Sequence, residues 1–212
     1  MSQHKGNDLA KDLAKHPTKD NEGVKLGMWL FLFTEILLFG GLFVLYAVYL
    51  HNYPEEFHQG GKDLSTTIGT INTVILLISS FFVAASITAI RSKALGQAKL
   101  FVSGTILSGL IFLVNKYFEW SHKFEVGTYP GSEILNQMAH GKIIFYGLYF
   151  TITGLHALHV IIGTVLLCVC LVLMNKGQIR QGNDMMLENS ALYWHLVDLI
   201  WIFVFPLFYL IV

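Results

Sequence analysis

The stretch Tyr193-Trp-His-Leu-Val-Asp-Leu-Ile-Trp-Ile-Phe-Val-Phe-Pro206 decides how this chain has to be read. It is apolar enough to lie in lipid, yet it carries His195 and Asp198 three residues apart. On insertion scales an aspartate at the centre of a span costs about 2.5–3.5 kcal/mol. An ionisable residue kept in such a segment is by default a candidate for function.

Four more apolar stretches precede it. Of the 212 residues, 54% are hydrophobic and 13% charged, with a mean hydropathy of +0.56. Such a composition excludes an ordinary soluble domain and implies an all-α, polytopic membrane protein. The expected spans are residues 26–50, 68–90, 100–120, 143–174 and 191–212, a five-transmembrane-helix bundle. Each is long enough for a core about 30 Å thick, and the fourth is long enough to require tilt or projection beyond it. Residues 1–25 form a polar tail of mixed charge, followed by the membrane domain 26–212. The first span follows that tail without a small-residue cleavage site and is read as retained. Formal net charge is zero, so nucleic acid is not an expected partner. Cys168 and Cys170 lie inside the fourth span, about 200° apart on a helix, and are read as small buried hydrophobes that cannot bridge each other.

Orientation follows from the lysines and arginines. Lys5, Lys11, Lys15, Lys19, Lys25, Arg91, Lys93, Lys99, Lys176 and Arg180 fall on one side, ten of the fourteen in the chain. The positive-inside rule then puts the N-terminus in the cytoplasm and the C-terminus outside. Tyr46, Tyr49, Tyr117, Trp120, Tyr146 and Tyr209 are expected in an outer aromatic belt, and Trp29, Tyr193 and Trp194 in an inner one. Small residues four apart, Ser80, Ala84 and Thr88, then Gly104 and Ser108, are expected where helix backbones approach closely.

The remaining intramembrane polar groups fall at similar depths. At 1.5 Å per residue, Glu35 lies about 13 Å from the inner end of its span, and Asp198 about 10 Å. His156, descending from the outside, comes about 10 Å from the same side, with His159 a turn deeper. A polar seam of Glu35, His156, His159, His195 and Asp198 is therefore expected inside the bundle or against a partner. His156 and His159 suit interhelical hydrogen bonds or headgroup contact better than metal ligation. His195 and Asp198 suit a structural pair or a proton-handling one. Glu35 suits a functional or a structural carboxyl equally. Glu119 and Lys116, three apart, are expected to form a local ion pair.

At these residues the chain resembles subunit III of the haem–copper cytochrome oxidases. Gly154-Leu-His-Ala-Leu-His-Val-Ile-Ile-Gly163, with Tyr149-Phe-Thr151 before it, resembles one helix signature of that family. Tyr193 to Trp201 resembles its C-terminal helix, Met28-Trp-Leu-Phe-Leu-Phe-Thr-Glu35 its carboxyl-bearing helix, and Phe112-Leu-Val-Asn-Lys-Tyr-Phe-Glu-Trp120 a looser fourth motif. The resemblance spans residues 26–212 in order, with five spans as in the shorter bacterial members rather than seven. It implies a non-catalytic core subunit of a terminal oxidase that reduces oxygen to water and translocates protons. Subunit I would be the direct partner, with subunit II and a small subunit IV nearby. Haem and copper would belong to those partners, with no cofactor or metal in this chain, and phospholipid would be bound. Glu35 would be the mid-membrane carboxyl linked to oxygen access or proton supply. His156, His159, His195, Asp198 and Glu119 would be polar packing, lipid or subunit contacts. The donor, cytochrome c or quinol, stays open. The competing readings are a homologous accessory subunit of a nitric oxide reductase, a b-type cytochrome with haem between His156 and His195, and a transporter. No span carries the central break that a transporter would favour.

Overall fold

A computed structural model describes residues 21–210. Five of its helices are long and apolar enough to cross a membrane. They are α1 (Asn21–Asn52), α3 (Thr66–Arg91), α4 (Leu95–Val126), α6 (His140–Asn175) and α7 (Met185–Tyr209), with two short helices between them, α2 (Pro54–Lys62) and α5 (Glu133–Asn136). All five expected spans are present, and each helix runs a few residues past the apolar core at one end or both. Residues 21–25, read from sequence as tail, are the first turn of α1. Residues 1–20 and 211–212, with most of the tail, lie outside the described residues.

The helix ends follow local chemistry. Ser65 caps α3, its hydroxyl accepting from the Ile68 N–H. Gly127, at φ 76°, ends α4; its own N–H bonds back to the Phe124 carbonyl and the Thr128 N–H to the Lys123 carbonyl. That geometry is the left-handed C-terminal turn that glycine supplies at little steric cost. The connection 51–67, expected as loop, folds its middle into α2, with Pro54 in the first turn where its missing N–H costs nothing.

Helices α3, α4, α6 and α7 form a four-helix bundle in which α3 and α4 pack most extensively. Helix α1 lies outside it, touching α6 and α7 but not α3 or α4. Only a narrow stripe of α1 is covered, through Leu32, Phe39 and Tyr46. Helix α6 has 36 residues, about 54 Å at 1.5 Å each. Its surplus is taken up at the loop end, where Phe145 packs on Phe57 of α2.

Two expectations change. Of the small-residue stripe Ser80, Ala84 and Thr88, only Ser80 meets another helix, at His195 of α7. Ala84 and Thr88 are exposed, and the buried face runs through Asn72, Leu76, Ser79, Val83 and Ser86. Gly104 does take the ring of Phe82. The aromatic belts are also thinner than expected. Tyr46, Tyr146, Tyr193, Trp194 and Tyr209 are buried, because their O–H and N–H groups bond across helices rather than to an interface. Trp29 and Tyr117 remain outward-facing.

Close approach is carried by Gly109 and Gly163. A Cβ at Gly163 would lie 2.8 Å from the Trp194 ring, and one at Gly109 2.7 Å from it. Gly163→Ala should cost about 1–3 kcal/mol by overpacking, seen as a lower unfolding temperature in detergent. Gly147→Ala, with nothing within 4 Å of its Cβ position, should leave that temperature unchanged.

Candidate functional site

Glu35 on α1 meets His159 on α6, Oε2 to Nε2, at 2.9 Å. The other ring nitrogen of His159 lies 2.7 Å from the Leu155 carbonyl oxygen. A carbonyl only accepts, so Nδ1 carries a hydrogen. One proton is then left to share between Nε2 and the carboxyl: a neutral acid donates it, or an imidazolium does. Both side chains are largely buried, at 8% and 14% exposed. Phe39 stands edge-on to the imidazole at 5.3 Å, and Tyr193 donates to the His159 carbonyl. The pair can therefore hold a proton between two helices at mid-membrane without exposing charge to lipid.

Helix α7 is fixed to α3 by a ladder of polar rungs. Trp201 Nε1 donates to Thr73 Oγ1 at 3.0 Å and Trp194 Nε1 to Ser79 Oγ at 2.9 Å. Ser80 Oγ and His195 Nδ1 are 2.6 Å apart. His195 and Asp198 do not pair with each other. Ser80 lies beside Asp198 as well, but its single O–H serves one acceptor. Asp198 is buried, and its carboxyl oxygens have no well-formed hydrogen bond among the described residues.

His156 departs further from expectation. It is fully buried, packed at 5.4 Å on Phe112 and 5.1 Å on Trp201, and neither ring nitrogen has a hydrogen-bond partner among the described residues. It is therefore no headgroup contact. The expected single seam is divided: Glu35, on α1, is met by His159, while His195 and Asp198 face α3. These two helices do not touch. The expectation grouped these residues by depth, but position around each helix sends them apart.

The ion pair of Lys116 and Glu119 is present at 3.1 Å and is part of a larger buried cluster. Tyr149 and Tyr209 both donate to Glu119 Oε1. Lys116 also reaches the Tyr209 hydroxyl at 2.8 Å and the Tyr149 hydroxyl at 3.3 Å. Its ammonium lies 5.1 Å from the Trp201 ring centroid, a cation–π distance. A turn further out, Lys123 donates to the Asp63 carbonyl, and Tyr146 to the Asp63 carboxylate. Sequence reasoning missed the tyrosines. The signal available was Tyr149, seven residues before His156 on one stripe.

Among the described residues no three His, Cys, Asp or Glu side chains are gathered to hold a metal ion. His156 and His195 do not face each other across a haem-sized space. One is wedged between aromatic rings and the other is bonded to Ser80. Cys168 is exposed and Cys170 buried, both free.

Removing one member of the buried Lys116 pair should be costly, because it strands the other charge. Lys116→Met should destabilise by about 3–5 kcal/mol, and Lys116→Met with Glu119→Gln by less. Thermal unfolding of the two variants in detergent gives the comparison.

The cytochrome c oxidase subunit III family matches residues 7–211. Subunit 3 of the cytochrome bo(3) ubiquinol oxidase of Pseudomonas aeruginosa is 31% identical over 186 residues, 87% of this chain and 83% of that one. Cytochrome c oxidase subunit 3 of Synechocystis is 30% identical, over 87% of this chain and 74% of the relative. The haem–copper oxidase subunit I+III of Aeropyrum pernix is 28% identical over 89% of this chain, which covers 23% of that longer protein. By these matches the chain belongs to the cytochrome c oxidase subunit III family, the third subunits of haem–copper oxidases.

Proposed function

We propose that this chain is a non-catalytic core subunit of a bacterial terminal oxidase, packed directly against subunit I and supporting oxygen reduction coupled to proton translocation. The observation that carries this reading is the Glu35–His159 pair, an acid and a base sharing a proton position at mid-membrane under the one helix that stands outside the bundle. Such a pair suits proton supply or oxygen access to a neighbouring subunit. Haem and copper then reside in subunits I and II. The Aeropyrum relative, whose name joins subunits I and III, supports direct contact with subunit I. The donor is quinol in one relative's name and cytochrome c in another's, and this chain is compatible with either.

The inner-membrane orientation rests on charge. Arg91 pairs with Asp184 at 3.0 Å and with Glu188 at 3.5 Å, and Lys25 pairs with Glu188 at 3.9 Å. These surface pairs add little stability, but they gather the start of α1, the end of α3 and the start of α7 at one pole. This is the pole expected to face the cytoplasm. Apolar grooves flank α1 on its α7 side. One of about 450 Å³ is lined by Met28, Phe31, Leu166 and Tyr193 among others, and one of about 190 Å³ by Phe39, Phe43, Leu199 and Phe203 among others. Phospholipid acyl chains suit both. Glu35 is the functional carboxyl of this proposal, and His159, His195, Asp198 and Glu119 are polar contacts within the bundle or toward partners.

Purification from native membranes through a tag on the N-terminal tail should yield haem, copper and oxygen consumption together. An eluate with haem but no copper that reduces nitric oxide, or one with no redox centre, would overturn the reading. Glu35→Ala should assemble normally and start at wild-type rate, but lose activity sooner during sustained turnover. Equal lifetimes in a prolonged oxygen-electrode assay would remove Glu35 from the proposal.

A further inference from the structure

His195 has one ring nitrogen committed and one free. Nδ1 lies 2.6 Å from the Ser80 hydroxyl, across the contact of α3 with α7. Nε2 has no hydrogen-bond partner among the described residues, and it is not enclosed, for the ring is half-buried and opens on the outside of the bundle. The height makes this costly. His195 stands about 15 Å along α7 from Met185, and Ser80 is near the middle of α3. Both lie within an apolar layer about 30 Å thick that offers neither donors nor acceptors.

Ser80 has a single hydroxyl hydrogen and borders both His195 and Asp198. If it donates to Nδ1, the Nε2 of a neutral ring carries the hydrogen and turns a donor outward. If Nδ1 donates to Ser80, the hydroxyl is free to donate to Asp198, and Nε2 turns an acceptor outward. Asp198 is 3% exposed and has no well-formed bond of its own, so the second arrangement answers two groups at once. In both, whatever covers Nε2 has to form a hydrogen bond, which an acyl chain cannot do. The surface beside it suits a helix. Ala84 follows Ser80 by one turn and Thr88 by two, both exposed, and Leu77 is exposed on the turn before. Small residues at every fourth position let two helix backbones approach closely, and inside this chain the stripe meets only His195.

We propose that a membrane-spanning helix of another subunit docks on the seam between α3 and α7, backbone-close at Ser80 and Ala84, and hydrogen-bonds to His195 Nε2 through a hydroxyl or side-chain amide. Such a group both donates and accepts, so it answers either state of the ring. Ser80 and Asp198 are positioning residues: they fix which nitrogen carries the hydrogen and hold the ring toward the outside. Helix α1 does not touch α3, so it leaves this seam uncovered. The proposal rests on the oxidase reading only in taking the helix from another subunit rather than from a second copy of this chain.

The test uses the assembled complex in native membranes. A photo-crosslinking amino acid in place of Leu77 should capture a membrane-spanning peptide of another subunit, with a hydroxyl or amide side chain within a turn of the attachment point. The same group in place of Leu107, exposed on α4, should not capture that peptide. His195→Asn keeps an amide at the reach of Nδ1 for Ser80 and deletes Nε2. That variant chain should unfold in detergent at the wild-type temperature, yet its complex should dissociate about 3- to 30-fold more readily on dilution. Ala84→Leu, which fills the seam from an exposed position, should loosen the complex likewise, and it decides the matter where the asparagine variant is itself less stable. Capture of lipid alone, or of a second copy of this chain, would overturn the proposal. So would wild-type dissociation of both variants. Haem and copper in the same eluate test the oxidase reading separately.

Discussion

Lipid supplies no hydrogen-bond donors or acceptors, so each polar side chain carried into the apolar layer has to be met by another helix. That constraint selects the contacts of this bundle. Trp194 and Trp201 bury large apolar rings, yet each sends its one N–H to a hydroxyl on α3. Lys116 brings a full charge inward and is met by a carboxylate, two phenolic oxygens and three aromatic faces. Glu35 is met by a histidine whose ring is itself held by a backbone carbonyl. Between lipid-bathed helices shape alone would leave several registers open. Polar rungs at fixed heights select one.

The same constraint sets α1 apart. The four bundle helices share interfaces along most of their lengths, whereas α1 meets its neighbours along one stripe. Its polar attachments include the Glu35–His159 bond, the Tyr46 hydroxyl on the Leu207 carbonyl and the Lys25–Glu188 pair at its end. Packing in a membrane lacks the hydrophobic drive that holds soluble helices together. The mid-membrane bond therefore carries a larger share of the attachment of α1 than a single bond would in water. A carboxyl with a proton to share is thus both a candidate functional group and one of several fasteners of α1.

How much of this was legible in the sequence depends on which coordinate is asked for. Height along a span was legible only to within about two turns, although helical rise is fixed: the expected heights put His156 nearest to Glu35, whereas Glu35 meets His159. The Lys116–Glu119 pair was legible from its spacing of three. Rotation about each helix was not. Ala84 and Thr88 look like interface residues by spacing, but the face that packs starts at Asn72 and runs through Ser79 and Ser86. No apolar stripe marks the packed face, since the outward positions Ile71, Val74, Leu77, Ile78 and Phe81 are more apolar than buried Asn72, Ser79 and Ser86. The tyrosines were misjudged for a related reason. An amphipathic ring suits an interface and a buried carboxylate alike, and only Glu119 in the right place decides for Tyr149 and Tyr209.

The partners of α1 lie far along the chain: Glu35 and His159 are 124 residues apart, and Tyr46 and Leu207 161. A ribosome adds about 5–20 residues per second. From the time the first helix emerges, its carboxyl waits roughly 6–25 s for the imidazole that will meet it. Throughout that interval a finished helix with an unanswered acid sits in the membrane beside a growing chain. The nascent subunit is thus most vulnerable at its oldest segment, and whatever shelters that segment, insertase or waiting partner subunit, must be present before translation ends.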